Sequence, residues 1–98
     1  MASDHYILRL RLTIEHLHKC GAIWRDSVHV QDIYKGNIVW TGDAEVFDLT
    51  GHPKAIRCYG WSYGEPEEFI TILELPPVKS PEDAVKVGVA YQIKKGRK

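Results

Sequence analysis

The chain has 98 residues, thirteen Lys and Arg against thirteen Asp and Glu, and 44% apolar residues. These values fit one globular domain over residues 1–98 and exclude collagen, coiled coil and wholesale disorder. No apolar run approaches the roughly 20 residues of a membrane helix, and Arg9 and Arg11 interrupt the first apolar stretch, so the expectation is a cytoplasmic domain with no membrane contact.

Neutrality hides an uneven distribution. Residues 1–42 carry five bases and four acids, residues 43–83 three bases and nine acids, and residues 84–98 five bases and no acid. Cys20 and Cys58, the two cysteines, are too far apart to read as a disulfide framework or a zinc-ligand pair.

The first element, residues 4–20, carries two patterns at once. Tyr6, Leu8, Leu10, Leu12 and Ile14 alternate as in a strand, whereas Tyr6, Ile7, Leu10, Ile14, Leu17 and Cys20 share one side of a helix. The length, the Leu and Arg content, Ser3 or Asp4 as cap and Gly21 as C-terminal stop favour the helix. A short strand near residues 27–32 follows, then a turn at Lys35-Gly36-Asn37, where Gly36 and Asn37 tolerate positive φ. A long run over residues 38–49, with Gly42 as a bulge, ends at Thr50-Gly51-His52-Pro53. Runs over residues 55–63 and 69–75, joined by a tight turn, complete an antiparallel meander. Ser80-Pro81-Glu82-Asp83 then opens a helix with a capping residue, a proline at its first position and acids in its first turn. The expected fold is α+β: an N-terminal helix, a three- to four-stranded antiparallel meander and a C-terminal helix, both helices on one face of the sheet, with residues 95–98 a frayed basic tail.

One strand face dominates the functional reading. Arg57, Tyr59, Trp61 and Tyr63 share a face by the period of two, opposite Ile56, Cys58 and Gly60. If the helices cover the Ile56 face, three aromatic rings and a guanidinium stand open. Such a row, or an unpaired strand edge, suits self-association as a homodimer or a protein partner. It could also stack nucleobases, with Lys94, Lys95 and Arg97 adding salt-dependent phosphate contacts. His52, in a fixed turn, is a candidate acid, base or ligand contact near neutral pH. His16 and Cys20, four residues apart on a helix, are the candidate metal pair, with no second pair of matching spacing. No catalytic motif and no cofactor-binding loop is present, so no cofactor is expected and the leading expectation is a non-catalytic binding domain.

In element order alone, residues 4–95 are similar to the double-stranded-RNA-binding domain. Thr50-Gly51-His52-Pro53 resembles that family's turn between strands, and the run Ala84 through Ala90 its Ala-rich second helix. The resemblance implies an RNA-binding shape. However, the family grips phosphates with lysines at the start of the second helix, where this chain has Glu82 and Asp83. That departure places nucleic acid behind a protein partner.

Overall fold

The computed structural model describes residues 3–64 and 66–96, with side chains described as far as Gln92. Helix α1 (Asp4–His18) leads into strands β1 (Gly21–Tyr34), β2 (Asn37–Thr50), β3 (Arg57–Tyr63) and β4 (Glu68–Leu73), and helix α2 (Pro81–Gly96) follows. The strands form one antiparallel sheet in sequence order. The helix–meander–helix order expected from the sequence is the one observed.

The helical reading of the first segment prevails, and its physical basis is visible. Ser3 Oγ accepts the Tyr6 N–H at 3.1 Å and the Ser3 carbonyl accepts from Ile7, a cap that satisfies donors with no helical partner. Leu10 and Ile14 are fully buried, while Leu8 and Leu12 stay exposed, the cost of putting an alternating pattern on a helix; Leu17, expected on the buried side, is exposed as well. The stop differs from expectation: Lys19, at φ 55°, takes the left-handed position and Gly21 already belongs to β1. Glu15 reaches past the helix end and accepts the Ala22 N–H at 3.0 Å, tying α1 to the first strand.

β1 is more than twice the length read from the sequence. It pairs with β2 from Gly21↔Thr50 to Tyr34↔Asn37, with register shifts that leave Arg25 and Val39 as the extra residues. The bulges therefore lie there and not at Gly42, which pairs with Val30. A bulge resets which face each later residue occupies. Ala22 accordingly belongs to the cluster around α1, whereas Val28 and Val30 belong to the cluster around α2. The hairpin turn has positive φ at Lys35 and Gly36, not at Asn37. That is the type I′ geometry whose twist suits a two-residue hairpin.

The expectation of both helices on one face is corrected. α1 brings Leu10 and Ile14 against Ala22, Phe47 and Cys58. α2 brings Ala84, Val85 and Val89 against Ala44, Val46, Tyr59 and Trp61. Successive strand residues point to opposite faces, so the helices lie on opposite faces. Ala44 through Phe47 and Cys58 through Trp61 are consequently buried without interruption, as expected of strands covered on both sides. α2 starts as the sequence indicated: Ser80 Oγ accepts the Asp83 N–H at 3.1 Å, and Asp83 accepts the Lys79 N–H at 3.0 Å. Among the described residues no helix is long and apolar enough to cross a membrane.

Candidate functional site: the overhanging hairpin and the cleft at its base

The aromatic row on β3 is not an open surface. Tyr59 is 2% exposed and Trp61 1%, both beneath α2. Trp61 is packed against Trp40 at 5.6 Å between ring centroids, and Tyr63 is partly buried against the same cluster. Stacked nucleobases have no access to Tyr59 or Trp61. The reason is the second helix on the second face, which the alternation of apolar residues on both faces of β3 demands.

Polar ends of this row form a bridging network. Asp48 receives Arg25 Nη1 at 3.1 Å and Arg57 Nε at 3.4 Å. Tyr59 Oη donates to Glu74 Oε2, which also faces Arg57 at 3.9 Å. Burial, reinforced by Glu74, pushes the Tyr59 phenol up to about 12. Desolvation raises the Asp48 carboxyl, but the hydrogen bonds and charges of Arg25 and Arg57 together outweigh it and hold it below its usual value. Arg57 thus ties strands together.

His52, in the connection between β2 and β3, and His18 and Cys20, at the junction of α1 with β1, lie at the same end of the sheet as this network, whereas His29 stands on β1 opposite Asp43, 3.1 Å away. His52 Nδ1 accepts the N–H groups of Lys54 and Ala55 at 3.1 and 2.9 Å, a side-chain cap on its own turn that leaves the proton of the neutral ring on Nε2. His18 Nε2 lies 2.9 Å from Thr71 Oγ1 and its ring meets that of His52 edge-on at 6.5 Å. Burial, then the neighbouring His52 charge, lowers the His18 pKa. His16 is exposed and Cys20 half-buried. Among the described residues no three His, Cys, Asp or Glu side chains gather as a metal site. The side chains of Lys94 and Lys95, all of Arg97 and most of the basic tail lie outside the described residues.

Two features that the sequence reading did not resolve stand out instead, and both arise because β2 outruns β3. β3 pairs with β2 only from Arg57↔Asp48 to Gly60↔Glu45, then continues with β4 to Tyr63↔Glu68. Past Glu45 the sheet divides, and the distal β1–β2 hairpin leaves as a two-stranded ribbon. Ile33, Tyr34 and Ile38 near its tip are 58%, 61% and 57% exposed. Among the described residues β1, first in the strand order, has no strand neighbour on its outer edge.

The fork between β2 and β3 forms an open cleft of about 490 Å³, lined by Tyr6, Trp40, Asp43, Glu45, Trp61 and Ser62 among others. Pairing with β2 has ended at Ser62, and Tyr6 Oη accepts its N–H at 3.0 Å. Burial, opposed by that hydrogen bond and assisted by the Glu45 and Glu67 charges, raises the Tyr6 phenol. Glu45 stands at the apex of the fork, 1% exposed. Its Oε1 accepts from Trp24 Nε1 at 2.9 Å and from Ser27 Oγ. An acid inside the apolar run Ala44-Glu45-Val46-Phe47 is the sequence signal that could have marked this site.

The fold and these features together define a helix–meander–helix sandwich with an overhanging hairpin. Comparison with protein-family models, curated proteins and solved structures finds no match.

Proposed function

We propose that the chain is a non-catalytic interaction domain that self-associates through the free edge of β1 in the overhanging half of the hairpin. The observation that carries this reading is the unprotected edge. Natural sheets guard outer strands with Lys, Pro or inward charges, yet residues 27–34 contain no Lys, Arg or Pro and a single acid, Asp32. Antiparallel pairing of two such edges is isologous, so each copy supplies the same surface. It would turn two marginal two-stranded ribbons into one four-stranded sheet and bring Ile33 and Tyr34 out of water at roughly 25 cal/mol per Å² of apolar area. With Tyr59 and Trp61 inside the fold, the strand edge is the part of the earlier binding expectation that still has access to a partner.

Sedimentation velocity over a concentration series tests the proposal. A reversible dimer is expected, and Ile33→Lys with Tyr34→Lys should yield a monomer of unchanged thermal midpoint, because neither side chain contributes to the core. A wild-type protein that stays monomeric at its highest soluble concentration, or a double variant that still dimerises, would refute it.

A further inference from the structure

We propose that the fork between β2 and β3 is a binding site for a small organic cation, an ammonium group carried on an apolar body. The inference is independent of self-association and rests on four features of the cavity.

The first is size. A volume of about 490 Å³ lies within the usual range of small-molecule sites, roughly 300–1,000 Å³. The second is charge: among the described residues the lining contains the carboxylates of Asp43 and Glu45 and no Lys, Arg or His, with His29 meeting Asp43 at 3.1 Å from outside the cleft. The third is the state of Glu45. It is 1% exposed, and both hydrogen bonds it accepts, from Trp24 and Ser27, converge on Oε1. Among the described residues no cation pairs with it and Oε2 accepts no hydrogen bond. A buried carboxylate is costly without a charged partner, and a ligand ammonium at Oε2 supplies one. The fourth is the aromatic wall. Trp40 and Tyr6, both half-buried, line the cavity with aromatic side chains, and cations are attracted to such faces. Trp61 Nε1, fully buried next to this wall, donates to no group among the described residues.

The parts divide the work between them. Glu45 neutralises the ammonium, Trp40 and Tyr6 face the apolar body, and Asp43, exposed at the mouth, adds long-range attraction. Tyr6 and Ser62 hold the opposite wall through their mutual hydrogen bond and so keep the fork open. The same ammonium chemistry could arrive as a free amine or as a lysine side chain of a peptide.

Isothermal titration of the wild-type protein with phenethylammonium, its neutral counterpart 2-phenylethanol, the anion phenylacetate and N-acetyl-lysine methylamide tests the site. The expected result is saturable one-to-one binding of phenethylammonium, at least tenfold weaker binding of the alcohol and none of the anion. Binding should shift the amide resonance of Ser62 and the Nε1–H resonance of Trp61. If the lysine derivative binds more tightly than the free amine, the source is a peptide; the reverse order assigns a metabolite-like amine. Glu45→Gln should weaken phenethylammonium at least tenfold, and Asp43→Asn by less. Because the cation, alcohol and anion are compared on the unaltered protein, the test survives a Glu45 variant that fails to fold. Equal affinity for the ammonium and the alcohol, or no saturation by either amine through the millimolar range, overturns the proposal.

Discussion

Replacing Gly88 by alanine sets two effects of opposite sign against each other within one helix. Judged by helix propensity, the change in the middle of α2 should stabilise by about 1 kcal/mol. In the folded chain, however, a Cβ at position 88 falls 2.3 Å from Trp61 Cζ2 and 2.7 Å from Cη2. Carbon atoms rest about 3.5–4.0 Å apart, so the overlap exceeds 1 Å. The atoms it meets belong to a rigid ring, 1% exposed, with Trp40 on another side. An added methyl in a filled core costs about 1–3 kcal/mol, and the depth of this overlap places Gly88 at the upper end. Subtracting the propensity gain leaves about 2 kcal/mol of destabilisation, or a thermal midpoint lowered by roughly 8–16 °C for a domain of this size. Equilibrium urea unfolding and differential scanning calorimetry read the change directly. Val87→Ala, one residue away and exposed, is the control and should move stability by no more than about 0.5 kcal/mol. A double-mutant cycle with Trp61→Leu should return a coupling of at least about 1 kcal/mol, since the smaller side chain makes room for the methyl. A Gly88→Ala protein as stable as wild type, or more so, would show that backbone propensity outweighs the contact and that α2 does not seat on Trp61 as described.

Two further outcomes follow from groups whose ionisation the fold opposes. The Tyr59 phenol is raised to about 12 from 10, so the fold favours its neutral form. That contribution is complete below pH 10 and is lost as pH rises through 12. Tyr59→Phe should remove part of the alkaline loss of stability seen by urea unfolding between pH 9 and 12 (approximate limits of the window set by this shift), and identical pH profiles for the two proteins would contradict the burial of this hydroxyl. The Cys58 thiol, fully buried, is pushed up to about 12 chiefly by desolvation. Thiolate is the reactive form, so a thiol reagent at neutral pH should label half-buried Cys20 first and Cys58 only on unfolding; mass spectrometry showing both modified at equal rates in the native protein would exclude the packing around Cys58.

Much of the local structure was legible because its causes are local. Ser3 and Ser80 act as caps, Pro81 opens α2, Glu82 and Asp83 sit in its first turn, and Lys35-Gly36 turns the chain, all within four residues of the groups they satisfy. Bulges were less legible, because they are settled by the partner strand. Arg25 looks like any exposed strand residue until β2 pairs around it, and without that shift the alternation of β1 cannot be followed beyond Trp24. The cleft was invisible for a related reason. It exists where β2 and β3 cease to pair, and Tyr6 reaches Ser62 across 56 positions of sequence.

What this sequence determined by itself is therefore the order of its elements and the type of most of them, since caps, turns and apolar periodicity act over one or two turns of chain, while the strand count stayed at three or four and residues 4–20 carried both patterns. Which face each helix covers was decided only by tertiary structure. Tyr59 and Trp61 share their period with any half-exposed strand. Cys58 and Gly60 offer a second apolar face, and two such faces must both leave water. One helix on each face achieves this, burying the aromatic row that the strand pattern alone leaves open. The same arrangement, by letting β2 run on beyond β3, puts the exposed edge and the acidic, indole-walled fork at the end of the molecule.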